Sequence, residues 1–552
     1  MSDEKYSLQE KAAEGKKPKQ KPELDRESSE KRPILFRYAA IMALATGVLY
    51  WLAFAGMSSY QGWDFGLVTL VAWVPLLLAL PNQTPKRALW LGVISGGTMN
   101  VLGFYWLLNM LRVFSGFPTP LCFLFVVIIS TYQGGRLGLM GWLYARATQR
   151  GWRHEWVVLC AFAASELLFP LLFPWYYAAT VTKLPALAQI ADIGGPILVG
   201  LVLLGSNLAV AELFLSRFHR RAMDRRVVGA GFGVLALSAL YGYVRILQVD
   251  AASVQGEPLH IGVVQGNMGL VEKREDSAEG LRRHKRLTGE LRQKGVELVV
   301  WSESSVTFGV SEDMYKPFLR DNVSAHLGVP TIFGGVIIRE NPNDPRMERL
   351  FNTALSSNAK GEITGRYDKH YLLAFGEYLP FGDTFPILHE WSKNSGRFSS
   401  GDTMDPLPLV TKTGTHNISA LICYEDILPG FTNDVVNHAR PELLVNMTND
   451  AWFGDTSEPY EHLALSTFRA IEHRRYLVRS TNSGVSAIVD PVGRVIAHTP
   501  TFQSAKLDGI VYLLQGGTIY EVIGNVPMVA LTLISILLAF LRKRSAPAKS
   551  AA

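Results

Sequence analysis

The sequence predicts a molecule of two parts: a polytopic helical membrane domain of about eight spans, and an extracytoplasmic α/β domain held between its last two spans. Three observations predict it. Hydrophobic residues make up 48% of the 552-residue chain and charged residues only 18%. The apolar residues concentrate before about residue 247 and again near 523–541, in runs of the ~20 residues that cross a bilayer core. Lys and Arg collect in alternate connections between those runs. From Leu259 to about Ile510 the pattern changes to short β-rich runs separated by amphipathic helices. A mean hydropathy of +0.14 fits this mixture.

Residues 1–33 are polar, charged and poor in aromatics, and are expected to be a disordered cytoplasmic tail. They are not a cleavable signal peptide, because the basic stretch is too long and the next segment is long enough to anchor. The membrane domain, 34–247, holds spans at roughly 34–56, 65–80, 88–108, 119–143, 155–173, 196–216 and 227–246. Gln133 and Arg136 interrupt the fourth, so Arg136 faces the bundle or a cavity, or that span ends earlier. A last span, 523–541, precedes a cytoplasmic tail, 542–552.

One set of connections holds Lys86 and Arg87, then Arg146, Arg150 and Arg153, then Arg217 to Arg226, then Arg542 to Arg544. The opposite set holds only Arg112 and Lys183. Both termini are therefore expected in the cytoplasm and residues 248–520 outside it. The net charge of +6 is largely explained by these basic loops and tails. It does not imply nucleic acid, since no aromatic-interleaved basic patch accompanies it.

Within the external domain, 259–264, 298–301, 331–333, 418–422, 443–445 and 485–489 read as buried strands. Glu279 to Lys294 and Ser457 to Arg475 read as helices between them, which implies a layered domain with its sheets covered by helices. The chain has three cysteines, and Cys122 and Cys160 lie in upstream apolar stretches. Cys423 ends the run 418–422 and meets Tyr424 and Glu425 at once. It has no disulfide partner in its domain, which makes it a candidate nucleophile.

Two further segments place ionisable groups beside strands. Leu298 to Glu303 ends a buried run in a carboxylate, and Arg366 to Pro380 supplies Lys369 and Glu377. The spacings of 66 and 54 residues from Glu303 to Lys369 to Cys423 mean that only the fold can assemble them. A thiol needs a base, and a tetrahedral oxyanion needs a fixed positive donor, so Glu, Lys and Cys suffice for acyl transfer through a thioester. Each residue alone has a plainer reading, as a helix-terminal acid, a surface charge or a small core hydrophobe. No HExxH motif, Cys/His cluster or Gly-rich phosphate loop is present, so no metal or cofactor is expected.

Together, Trp-x-Glu at 301–303, Tyr-x-Lys before Phe-Gly-Glu-Tyr-x-Pro at 367–380, and Cys-Tyr-Glu at 423–425 resemble the Glu–Lys–Cys nitrilase superfamily. With the membrane plan, the chain resembles that superfamily's membrane branch, the apolipoprotein N-acyltransferase family. Asn446 to Gly454, Arg469 to Glu472, Arg479 to Asn482 with Gly484, and Phe173 to Trp175 add to the likeness, which runs from about residue 34. The resemblance implies a nitrilase-like αββα sandwich on the outer face of a bacterial inner membrane.

It also implies a two-step reaction. Glu303 deprotonates Cys423, which takes an acyl chain from a phospholipid, and the amino group of a diacylglyceryl-modified lipoprotein cysteine then attacks the thioester. Lys369 stabilises the oxyanions, and Glu377, Tyr424 and Glu425 support the site. Trp452 and Phe453 are candidates for an apolar lid. A monomer is expected. The chain departs from the family pattern at Ser302, Tyr371, Ala374 and Glu461, none of them in the triad. The alternatives are a membrane-anchored amidase acting on a small amide, and a transporter or scaffold with an inactive domain. Glu166, Asn207 and Arg136 are polar groups at membrane depth, open to functional or packing roles.

Overall fold

The computed structural model describes residues 33–54, 65–115, 117–218, 221–269, 277–340, 348–374, 376–379 and 396–542, with isolated positions from 382 to 387. Apart from Pro33 and Arg542, the two expected tails lie outside these, as do loop 57–64 and the motif positions 375 and 380.

The predominantly apolar runs fold as helices, because a helix satisfies its backbone polar groups internally. These helices are Phe36–Ala53, Pro85–Gly103, Leu107–Ser115, Thr119–Thr148, His154–Leu168, Ala191–Phe218, Arg225–Ser253 and Val526–Phe540. Four are long and apolar enough to cross a membrane, or five if Pro85–Gly103 and Leu107–Val113, bent by 63°, count as one. The 65–80 stretch, expected as one span, instead forms a 3-10 turn at Gly66–Leu70 and a short helix, Val74–Ala79, with Pro75 in its first turn. Proline has no N–H to continue a preceding helix, which favours the break there.

Glycines let two helices approach closely: a Cβ at Gly92 would stand 2.0 Å from the Leu137 carbonyl oxygen. Outward faces carry large apolar side chains, among them Leu35, Ile41, Leu44, Leu237, Leu240, Leu247, Leu533 and Leu537. An apolar exterior of this extent on several helices belongs in lipid, and the chain is a membrane protein.

The helix Thr119–Thr148 runs unbroken through Arg136, which is 1% exposed and faces the bundle. Its guanidinium lies 3.2 Å from Glu166, donates to the Trp175 carbonyl at 2.6 Å and stacks 3.5 Å over the Trp175 ring. Asn207 accepts from the Trp73 amide and donates to the Thr69 carbonyl, each at 2.8 Å. Both residues therefore brace the bundle.

The second part begins with β1 (Glu257–Gln265), β2 (Leu298–Trp301), β3 (Gly309–Ser311), β4 (Thr331–Glu340), β5 (Glu348–Ser357) and β6 (Ile363–Asp368). It continues with β7 (Leu407–Val410), β8 (Thr415–Ile422), β9 (Leu443–Thr448), β10 (Leu477–Thr481), β11 (Ala487–Val489), β12 (Val495–His498) and β13 (Ala505–Leu513). One sheet has the order β13-β1-β2-β4-β5-β6 with β3 on β4, and the other β12-β11-β10-β9-β8-β7. The strands at the heart of each, β1-β2-β4 and β8-β9-β10, are parallel.

Side-chain alternation divides each strand between two cores. Ile261, Val300, Ile332, Ala420, Ile422, Val445 and Val478 meet between the sheets. On the outer faces, helix Ser277–Gln293 covers Val299 and Trp301 with Leu287 and Leu291, and helix Glu458–His473 covers Leu444 and Leu477 with Leu463 and Ala470. The result is a four-layered αββα sandwich.

That domain sits directly on the bundle. Ile427, Leu465, Phe468 and Ile471 share the bundle's own core. Arg474 donates to Gln189 at 2.6 Å and pairs with Asp192 at 2.7 Å, while Tyr105 accepts from the Ser457 amide at 3.1 Å.

Candidate active site

The strands β2, β6 and β8 bring the residues that follow them to one end of the sandwich. Glu303 lies two residues past β2, Lys369 directly follows β6, and Cys423 directly follows β8. Cys423 has φ +56° and Ser304 φ +52°, left-handed conformations that cost energy for residues with a Cβ. At Cys423 the turn is held by Asn446, whose side-chain amide donates to the carbonyls of Leu421 at 3.1 Å and Cys423 at 2.9 Å.

Lys369 is 1% exposed; its Nζ stands 2.7 Å from Glu377 and 3.8 Å from Glu303. Burial alone would lower the ammonium's pKa. The adjacent Glu377 carboxylate, with Cys423 and Glu303, more than offsets that and holds it above the ordinary lysine range. Asn352, in mid-strand on β5, donates to Glu303 at 2.7 Å and to Glu377 at 2.9 Å through the same amide nitrogen. Nothing in the sequence singled Asn352 out, beyond the rarity of asparagine inside strands.

Burial raises the Cys423 thiol well above its usual range, and the Glu303 charge raises it further, while Lys369 and a hydrogen bond from Thr448 pull the other way. A thiol so placed rests protonated and needs a base before it can attack.

Glu425 is fully buried and accepts four hydrogen bonds, from the amides of Ile422, His370 and Tyr371 and from the Tyr367 hydroxyl, at 2.7 to 3.0 Å. It thereby ties the Lys369 segment to the Cys423 turn. Burial lifts its carboxyl to about 7 despite those donors. Tyr424 donates to the Leu372 carbonyl at 2.9 Å, and its ring lies 5.7 Å from the Lys369 ammonium. Trp452 is 37% exposed, whereas its neighbour Phe453 turns inward and meets Trp106 edge to face at 5.0 Å.

Cys423 and Tyr424 line a cavity between the sandwich and the bundle. Phe54, Phe104, Trp106, Phe173 and Trp175 of the bundle form one wall, and Ile427, Phe453, Glu458, Glu461, His462 and Leu465 form another. Phe173 and Trp175, quoted from the sequence as a family motif, are thus part of the wall.

Behind it lies a second polar group. Arg479 pairs with Asp426 at 2.9 Å and Asp450 at 3.2 Å, and His462 pairs with Asp426 at 2.9 Å. Among the described residues, Asp450, Glu458 and His462 have donor atoms within 4.8 Å of one another, close enough to share a metal ion. Arg479 already supplies positive charge there, and His462 is held between two aspartates.

Residues 251–508 match the carbon-nitrogen hydrolase family, which defines the class of the sandwich domain. Residues 28–209 match the apolipoprotein N-acyltransferase N-terminal domain. The apolipoprotein N-acyltransferase of Azotobacter vinelandii is 30% identical over 517 residues, covering 92% of this chain and 95% of that protein. That of Geobacter metallireducens is 29% identical, covering 91% and 95%, and that of Vibrio cholerae 29%, covering 92% and 97%. Among solved structures, an amidase from Nesterenkonia sp. aligns at 18% identity and TM-score 0.34, over 48% of this chain and 93% of that one. The chain belongs to the apolipoprotein N-acyltransferase family, and it is an acyltransferase.

Proposed function

We propose that the protein moves a fatty acyl chain from a phospholipid to Cys423, and then from Cys423 to the α-amino group of a lipoprotein's N-terminal diacylglyceryl-cysteine. Glu303 takes the thiol proton, and the sulfur attacks the ester carbonyl. The lysophospholipid leaves as its alkoxide is protonated. The acceptor amine then attacks the thioester, and the thiol re-forms. Lys369, kept charged by Glu377 and Glu303, lies where an ammonium can meet each oxyanion. Glu377 and Asn352 hold that pair, and Tyr424 and Glu425 hold the thiol turn.

The observation that carries this reading is the cavity itself. A nucleophilic thiol opens onto aromatic side chains supplied by the helical bundle, a surface suited to an acyl chain. Such chains leave a bilayer only at ~0.8 kcal/mol per CH₂, so the thiol must work near the membrane. A small amide would use none of that wall. We place the protein in a bacterial inner membrane with eight passes, both termini in the cytoplasm and the sandwich on the periplasmic side, as the basic connections indicate.

Intact mass spectrometry after incubation with labelled phospholipid tests the reading. The full chain should gain one hydroxylamine-sensitive acyl group, and Cys423→Ala should gain none. Hydrolysis of a small amide without any acyl adduct would overturn it.

A further inference from the structure

The cavity holds a carboxyl group that the reaction above leaves without a task. Glu458 is 7% exposed and lines the cavity together with Cys423, yet its Oε2 has no hydrogen-bond partner among the described residues. Its other oxygen stands 3.8 Å from His462. One turn on, Glu461 accepts from Ser457 at 2.8 Å and from the Trp106 indole at 3.1 Å.

The charges nearby do not balance these two acids. Asp426 and Asp450 are met by Arg479 and His462. Burial and Arg479 lower the proton affinity of His462, but Asp426 and the hydrogen bonds to Asp426 and Asp450 more than restore it and hold it above the ordinary imidazole range. Arg479 and His462 thus both face the two aspartates, and neither lies within ion-pair distance of Glu461. Burial accordingly pushes Glu461 up to about 7 and Glu458 well above the ordinary carboxylate range, with Asp450 adding to the latter.

A buried acid pair without a counter-charge, in an open cavity, is a place for a cation. The aromatic wall favours the same occupant, because ring faces attract cations, and Trp106 and Phe453 stand beside these carboxyls. A divalent metal fits less well. The His462 ring nitrogens already face Asp426 and Asp450, and Arg479 already occupies Asp450.

We propose that Glu458, with Glu461 behind it, docks a primary ammonium group in the wall of the catalytic cavity. The inference rests on the acyl-transfer reading for its two natural sources. One is the α-ammonium of the acceptor cysteine, which must reach the thioester on Cys423. The other is the headgroup of an ethanolamine phospholipid acting as donor. Both present three N–H donors on a compact charge, and Glu458 offers the free acceptor.

The test begins with binding, independent of turnover. Dodecylammonium and 1-dodecanol are titrated into the detergent-solubilised full chain and followed by tryptophan fluorescence, which Trp106 reports. Glu458→Gln should weaken dodecylammonium about tenfold and leave 1-dodecanol unchanged. Glu461→Gln, which keeps an acceptor for Trp106, should weaken the ammonium probe by less. Equal affinity for dodecylammonium in wild type and Glu458→Gln overturns the proposal, as does a stoichiometric divalent metal in the purified protein.

Two kinetic arms then assign the source. If the headgroup docks, Glu458→Gln slows Cys423 acylation from phosphatidylethanolamine micelles and spares phosphatidylglycerol. If the acceptor docks, both donors acylate normally and the KM for a diacylglyceryl-cysteinyl peptide rises about tenfold at unchanged kcat. Equal losses with both donors would make Glu458 a general structural residue and refute the site. Should wild-type Cys423 accept no acyl group at all, the acyl-transfer reading fails, while the dodecylammonium titration still decides this one.

Discussion

The two sheets bring different electrostatics to the same corner of the sandwich. At the end of the first, one ammonium, Lys369, lies between two carboxylates, Glu377 at 2.7 Å and Glu303 at 3.8 Å, with Asn352 bridging both acids. At the end of the second, Cys423 stands before a group in which Arg479 and His462 answer Asp426 and Asp450. The first set carries an excess of negative charge beside a thiol that must lose a proton. The second is balanced and fixes the ends of β8, β9 and β10 to helix Glu458–His473. Reactivity should reside in the unbalanced set and stability in the balanced one.

The largest effect should come from breaking the balanced set. Arg479→Ala leaves two buried aspartates with only His462 between them, a loss on the scale of ~3–5 kcal/mol for removing one partner of a buried ion pair. A thermal melt of the solubilised protein should fall sharply, and activity should fall with it. An unchanged melting point with lost acylation would contradict this division of labour.

A smaller effect, and of the other kind, is expected in the unbalanced set. Asn352→Ala removes hydrogen bonds to two charged carboxylates, worth ~1.5–3 kcal/mol, so acylation of Cys423 should slow about ten- to a hundredfold. The melting point should move little, because Lys369 still links Glu303 and Glu377. A rate within twofold of wild type would show that Lys369 alone orients the base.

Much of this corner was legible in the sequence, for a physical reason. Strands buried on both faces are written as largely apolar runs, so 298–301 and 418–422 announced themselves, and Glu303 and Cys423 just past their ends could be read as strand-end chemistry. Strands with mixed polarity were not legible. β5 carries Asn352 and Thr353 in its middle, and β10 carries Arg479, buried only because aspartates from the 3-10 turns Cys423–Ile427 and Asp450–Phe453 reach it. β13, antiparallel at a sheet edge, is half-exposed along most of its length. A balanced polar network reveals itself only once its partners are in place, and for that reason Asn352 and the pairing of Arg479 had no local signature.

The smallest expected effect separates the cavity acids from both sets. Glu461 has its carboxyl raised to about 7 by burial, against the donors Ser457 and Trp106, which pull it down. A carboxyl raised on folding stabilises the native state fully below its unfolded range near 4.5. That contribution is lost as pH rises through about 7, because the folded protein must then hold a buried charge. Glu461→Gln keeps an acceptor for Trp106 and stays neutral at every pH. The melting points of variant and wild type should therefore agree near pH 4.5 and separate in favour of the variant by pH 8, by a shift on the order of 2 °C. Arg479 and its aspartates are common to both proteins, so their titration cancels in the difference. A constant gap from pH 4.5 to 8 would mean that Glu461 already has a cation beside it, and the charge imbalance ascribed to the cavity wall would vanish.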